Sequence, residues 1–155
     1  GGDVTYHDPG QIVGYLILSL KPNERDLHKV LFGLEEVILL SLQELGIPGH
    51  RVEGKTGVFV NNQKVCSIGI ACRHWITYHG FALNIHSDLK NYQRINPCGL
   101  ESSLMQNITI TNEQETFLKA KLFQYATSIF GRESLKNGST SIKGFLQTCS
   151  IIAPA

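Results

Sequence analysis

The chain has 155 residues, with 14 Lys+Arg against 13 Asp+Glu, a formal charge of +1 and 42% hydrophobic residues. That length suits one domain with a single core, the charge balance argues against nucleic acid as a partner, and the apolar fraction argues against disorder. No apolar run approaches the ~20 residues of a membrane span, so no membrane is expected; the opening Gly1-Gly2-Asp3 has neither a signal-peptide pattern nor an initiator Met, Met105 being the sole methionine, and the chain is read as N-terminally truncated.

Residues 12–20, Ile12-Val13-Gly14-Tyr15-Leu16-Ile17-Leu18-Ser19-Leu20, are β-branched and apolar and stop at Lys21-Pro22-Asn23, which predicts a buried strand and a turn. Asn23 is placed to cap the next helix, with Glu24 and Asp26 favourable in its first turn. Leu27, Val30, Leu31, Leu34, Val37, Ile38, Leu42 and Leu45 recur at three- and four-residue steps. They predict an amphipathic helix of about six turns, ended by Gly46 and packed on a sheet. Residues 57–60 and 64–71 flank Asn61-Asn62-Gln63, a hairpin pattern, and residues 76–85 form a further strand in which Gly80 invites a close approach to the backbone. Asn96-Pro97-Cys98-Gly99 must be a loop, because Pro97 cannot donate to a ladder and Gly99 breaks one. Thr111 or Asn112 caps a second predicted helix, residues 113–130, with Phe117, Leu118, Leu122, Tyr125 and Ile129 as its apolar face and Gly131 at its end. Residues 132–155 read as a loose tail without chemistry. Strands outnumber helices and do not alternate with them, so the fold class is α+β.

Gly49-His50-Arg51-Val52-Glu53-Gly54-Lys55-Thr56 fits the phosphate-loop pattern letter for letter. That chemistry needs a strand before the loop and a helix after it. Here a helix ends before it and a β-branched segment follows, so a plain helix-to-strand connection is expected. Cys66, Cys72, Cys98 and Cys149 form no dense framework, and reduced thiols of a cytosol-like compartment are expected. Cys66, Cys72, Cys98, His74 and His79 lack the paired spacing of a zinc site, so no metal is expected. His7 and His79 each follow a Thr-Tyr pair and stand near Gly or Pro, as pocket-lining or as satisfied structural residues do. The strongest local signal is Arg94-Ile95-Asn96-Pro97-Cys98-Gly99-Leu100, a cysteine on a rigid loop where peptide N–H groups can stabilise a thiolate or an oxyanion.

Taken together, five segments resemble one family in order and spacing. They are Gly1-Gly2-Asp3-Val4-Thr5-Tyr6-His7-Asp8-Pro9-Gly10-Gln11, Thr56-Gly57-Val58-Phe59-Val60, Lys64-Val65-Cys66-Ser67-Ile68-Gly69, Thr77-Tyr78-His79-Gly80-Phe81-Ala82-Leu83-Asn84, and the Cys98 heptapeptide. The family is that of the octanoyltransferases of lipoate biosynthesis, related to biotin and lipoate protein ligase catalytic domains, and the match runs from residue 1 to about residue 130. The resemblance implies a mixed sheet flanked by helices, with residues 1–131 as a ligase-like catalytic domain lacking its N-terminal part and residues 132–155 as a tail. It implies transfer of an octanoyl group from acyl carrier protein to a lysine of lipoyl domains, such as those of 2-oxoacid dehydrogenases or glycine cleavage H protein. The enzyme is then a cytoplasmic acyltransferase, or one of an organellar matrix in a eukaryote, and it uses no cofactor.

By position, Cys98 resembles the nucleophile that carries the acyl thioester, and Lys64 the residue that lowers its pKa and relays protons. The pocket segments of the resemblance are Gly1, Gly2, Asp3, Val4, Thr5, Tyr6 and His7, then Ser67, Ile68 and Gly69, then Gly80, Phe81 and Ala82, with His79 as a further pocket residue. Val4, Ile68 and Phe81 are the apolar side chains among them. Asp8 departs from the family's usual Gly and brings a charge beside the pocket. Two other functions remain to be distinguished by experiment: an ATP-dependent lipoate or biotin protein ligase, and a truncated, non-catalytic binding module.

Overall fold

The computed structural model describes residues 7, 9–90 and 105–131. Among these residues the order of elements is β1 (Gln11–Tyr15), α1 (Leu27–Gln43), β2 (His50–Val52), β3 (Lys55–Val60), β4 (Gln63–Arg73), β5 (Ile76–Asn84) and α2 (Asn112–Phe130). The strands form one sheet in the order β1-β5-β4-β3-β2, every neighbouring pair antiparallel. The mixed character expected of the sheet is limited, among the described residues, to a parallel bridge between Lys64 and Met105. The class is α+β.

Turn chemistry sets the central hairpin. Asn61 and Asn62 take φ of 50° and 64°, the two left-handed residues that a tight hairpin loop requires and that asparagine tolerates. Gln63 joins β4 instead of the loop. His74 and Trp75 repeat this geometry between β4 and β5 with φ of 51° and 63°, and the Arg25 guanidinium lies 5.0 Å from the Trp75 ring centre.

The long strand expected over residues 12–20 stops at Tyr15. Beyond it the side chain of Thr77, fully buried, takes the place of a ladder partner. Its hydroxyl donates to the Leu16 carbonyl at 2.6 Å and accepts from the Leu18 N–H at 2.9 Å. The segment still runs beside β5, with Leu20 donating to the Trp75 carbonyl and Ser19 bridging Ile76. The cap of α1 also differs. Pro22–Glu24 form a 3₁₀ turn, and the Asp26 carboxylate accepts from the N–H groups of His28 and Lys29. With its start moved from Asn23 to Leu27, α1 has 17 residues, fewer than six turns. α2 begins as expected, on a reciprocal capping box between Thr111 and Gln114. It buries Leu118, Leu122 and Ala126, whereas Phe117 and Ile129, expected on its apolar face, are exposed.

Strand register divides the sheet into two faces, because directly paired residues share a face and successive residues alternate. Ile12, Leu83, Cys66 and Val58 pair in one row and belong to the core with Leu34, Val37, Ile38 and Leu42 of α1 and Leu118 and Leu122 of α2. Gly14, Phe81 and Ile68 form the next row on that helix side. The alternate rows, Gln11–Asn84, Val13–Ala82–Ser67 and Tyr15–Gly80–Gly69, lie on the face away from the helices.

Candidate functional site

Simple alternation along β4 would put Lys64 on the helix side with Cys66. A bulge prevents it. Val58 pairs with Cys66 but Phe59 pairs with Lys64, so Val65 is an extra residue without an opposite number. Such a bulge re-aims the side chains before it, and Lys64 joins Phe59 and Gly57 on the other face. Lys64 is 5% exposed, its Nζ 6.0 Å from the Phe59 ring centre.

Gly57 makes room for that lysine. A Cβ there would lie 2.7 Å from Lys64 Cε and 2.4 Å from the Cys66 carbonyl oxygen, and its φ of +128° suits glycine alone. The Gly57 N–H donates at 3.0 Å to Oε1 of Glu35, which projects from α1. Glu35 Oε2 accepts from Arg51 Nε at 2.9 Å, and Arg51 also reaches Glu36 and lies 3.8 Å from the centre of the Phe32 ring. The buried carboxylate is thus both paired and hydrogen-bonded, as a charged group in such a place must be. Burial pushes the Cys66 thiol up, the Lys64 charge opposes this and the Glu35 charge adds to it. Cys66 is therefore an inert core thiol.

Cys98 and the pocket residues Gly1, Gly2, Asp3, Val4, Thr5 and Tyr6 lie outside the described residues, as do Asp8, Cys149 and the tail. The chain is described again from Met105, seven positions after Cys98, where it bridges Lys64, and the Gln106 N–H donates to the Lys64 carbonyl at 3.0 Å.

The two internal pocket segments meet. Ser67 pairs with Ala82, Ile68 with Phe81 and Gly69 with Gly80. Ser67, Gly69, Gly80 and Ala82 share the face away from the helices. Phe81 and Ile68 point to the helix side, where Phe81 packs on Gly14 and is 3% exposed. The close approach expected at Gly80 comes from β1: a Cβ there would lie 2.0 Å from the Gly14 carbonyl oxygen. Gly69 instead has none of the described residues within 4 Å of a Cβ. His79 is exposed, with φ of 70° and its ring 4.8 Å from that of Tyr78. His7 is half-buried and hydrogen-bonded to Gln11, and Gln11 bonds in turn to Asn84. The phosphate-loop look-alike is a strand, a Glu53-Gly54 turn and β3, with Lys55 and Thr56 exposed and no helix after it. Cys66 and Cys72 are free thiols, and no group of three His, Cys, Asp or Glu side chains among the described residues is disposed to hold a metal.

Sequence reasoning missed Glu35, the role of Gly57, and the Gln11–Asn84 pair. One signal was available: Glu35 falls between Leu31 and Ile38 at helical spacing, a carboxylate beside an apolar stripe.

The pattern of the lipoyl protein ligase A/B catalytic domain matches residues 1–121. The chain belongs to this family. It is 48% identical over 100 residues to an octanoyltransferase of Pelobacter propionicus, covering 64% of this chain and 48% of that one. It is 42% identical over 141 residues to an octanoyltransferase of Flavobacterium psychrophilum, covering 84% and 60%. The chain thus spans about half to three-fifths of these relatives. The structure of a putative lipoate protein ligase of T. acidophilum with bound lipoic acid superposes with a TM-score of 0.68 at 16% identity, covering 90% of this chain and 60% of that one. That likeness establishes the ligase-like catalytic fold. No described helix is long and apolar enough to cross a membrane.

Proposed function

We propose that this protein transfers an octanoyl group from acyl carrier protein to a lysine of a lipoyl domain, through a thioester on Cys98. The observation that carries this reading is the setting of Lys64: a bulge, a glycine and a buried carboxylate hold one lysine beside the segment that follows Cys98. The name of the octanoyltransferase relatives supports the acyl group, and the lipoyl protein ligase A/B family supports the acceptor class.

A free thiol with a pKa near 8.5 is only slightly ionised at neutral pH, and a neighbouring ammonium raises the thiolate fraction. In the first step Cys98 sulfur attacks the octanoyl carbonyl, the bond to the carrier sulfur breaks, and the Lys64 ammonium gives its proton to the departing thiolate. In the second, the amine of the acceptor lysine attacks the thioester and the Cys98 thiolate leaves. Neutral Lys64 takes the proton of the new amide nitrogen, which restores the starting charges. Exchange between thioesters costs little and thioester to amide is downhill, so neither ATP nor a metal is required. The small residues Ser67, Gly69 and Ala82 form a wall that backbone and acyl chain can share. Lipoyl domains of 2-oxoacid dehydrogenases or glycine cleavage H protein are the acceptors, in the cytoplasm or an organellar matrix.

Incubation with octanoyl carrier protein should add one hydroxylamine-labile octanoyl mass at Cys98. An adduct that persists in Cys98→Ala would overturn the reading. Lipoate-dependent release of pyrophosphate would point to a ligase, and lipoyl-domain binding without turnover to a binding module. Lys64→Arg keeps the charge but not the relay, and is expected to slow amine transfer by about 100-fold or more.

A further inference from the structure

Asn84 is fully buried and Gln11 is 7% exposed, in the row of the sheet that faces away from the helices. Buried amides must find partners of the right polarity, and here one main-chain group orients both. The Gln106 carbonyl can only accept, so the group 3.4 Å away is Asn84 Nδ2. Asn84 Oδ1 then faces Gln11 at 2.9 Å and needs a donor, which makes that group Nε2. The remaining oxygen of Gln11, Oε1, lies 3.1 Å from His7 Nδ1. An acceptor there requires His7 to carry its proton on Nδ1. The same stretch of main chain is tied to the lysine, since Gln106 donates to the Lys64 carbonyl and Ile108 to that of Asn84.

We infer that Asn84 and Gln11 are positioning residues that hold neutral His7 as the Nδ1–H tautomer, so that Nε2 presents a lone pair to the N–H of the incoming amine. The amine's part in this rests on the octanoyl-transfer reading; the tautomer does not. A free imidazole favours its proton on Nε2, so the reversed tautomer is a signature of the network, and its direction is set from the Lys64 end of the site. Asn84 and Gln11 would then orient the acceptor lysine through His7, without touching it themselves.

The test is a long-range ¹H–¹⁵N spectrum of the full chain labelled at histidine, at a pH where His7 is neutral, with the His7 signals assigned from their loss in His7→Gln. Wild type should show a pyrrole-like Nδ1 and a pyridine-like Nε2; the opposite pattern would overturn the proposal. Gln11→Leu should shift the population toward Nε2–H. An unchanged spectrum in Gln11→Leu counts against the network. In single-turnover assays Gln11→Leu should leave acylation of Cys98 within about threefold while slowing transfer to the amine at least about tenfold. Equal slowing of both steps would remove the amine from the proposal. If wild type forms no Cys98 adduct, the catalytic reading fails while the spectrum still judges the tautomer.

Discussion

Gly57 shows how one missing methyl group places a catalytic candidate. Alanine at this position would meet the Cys66 carbonyl oxygen and Lys64 Cε well inside contact distance, in a backbone conformation alanine rarely adopts. Gly57→Ala is expected to lower stability by about 1–3 kcal/mol in urea unfolding and to slow octanoyl transfer by displacing Lys64. Behind it, Arg51 bridges one buried and one more exposed carboxylate, Glu35 and Glu36, with side-chain exposures of 11% and 38%. Arg51→Met strands Glu35 and should cost about 2 kcal/mol, a value between those of exposed and buried pairs because Arg51 itself keeps partial contact with water. Glu36→Gln should stay within about 0.5 kcal/mol in the same assay. The anomaly of Glu35 was visible in the sequence as a charge beside an apolar stripe. Its partner was not, since the Gly57 N–H becomes its neighbour only after α1 folds back on β3.

Among the elements, those defined by local chemistry were legible and those defined by distant side chains were not. The Asn61-Asn62 turn and the Thr111–Gln114 box each depend on residues within a few positions, so the hairpin and the start of α2 follow from sequence. The end of β1 depends on Thr77, and the bulge at Val65 on the pairing of two strands; neither leaves a periodic trace. Asp26 displaces Asn23 as the cap of α1 because Pro22–Glu24 closes its own turn first. The joint between the helices is similarly non-local. Tyr125 of α2 donates to Glu44, the C-cap of α1, and Lys121 reaches the same carboxylate at 3.3 Å. The Tyr125 hydrogen bond, then Lys121, hold the Glu44 carboxyl below its ordinary range, and the same bond to Glu44 pushes the Tyr125 phenol up. This contribution is complete above the range where an unfolded glutamate titrates and is lost as pH falls through the lowered one. On the alkaline side it is complete below the ordinary tyrosine range and lost as pH rises through the raised one. Tyr125→Phe should therefore lower the melting temperature slightly at neutral pH. Its difference from wild type should close on acidification, and a gap independent of pH would count against this bond.

At the scale of the whole molecule, the two faces of one sheet differ in kind: one packs on the helices and the other carries the proposed pocket. Both helices pack on the row through Ile12, Leu83, Cys66 and Val58, so the apolar stripe predicted for α1 and the core residues Leu118 and Leu122 identify that side from sequence alone. The other face carries small and polar residues whose purpose no hydrophobic pattern reveals; a resemblance marked Ser67, Gly69, Gly80 and Ala82, and strand register joins them. Within this group the two paired glycines differ. Gly80 is filled by the carbonyl of Gly14, so its missing side chain serves strand packing, whereas a Cβ at Gly69 would have none of the described residues within 4 Å. If the space beside Gly69 holds the acyl chain, its occupation should affect turnover and leave folding alone. Gly69→Val places a β-branched residue in a strand, where it lowers the entropy of the unfolded chain without a clash among the described residues, and should leave stability unchanged or raise it by up to about 1 kcal/mol. Octanoyl transfer should nonetheless fall at least about tenfold, the cost of ~1.4 kcal/mol in transition-state binding. Shorter acyl groups should suffer less than octanoyl, a pattern that loss of folded protein cannot produce. Comparable losses for all chain lengths in a fully folded Gly69→Val protein would place the acyl chain elsewhere on the sheet.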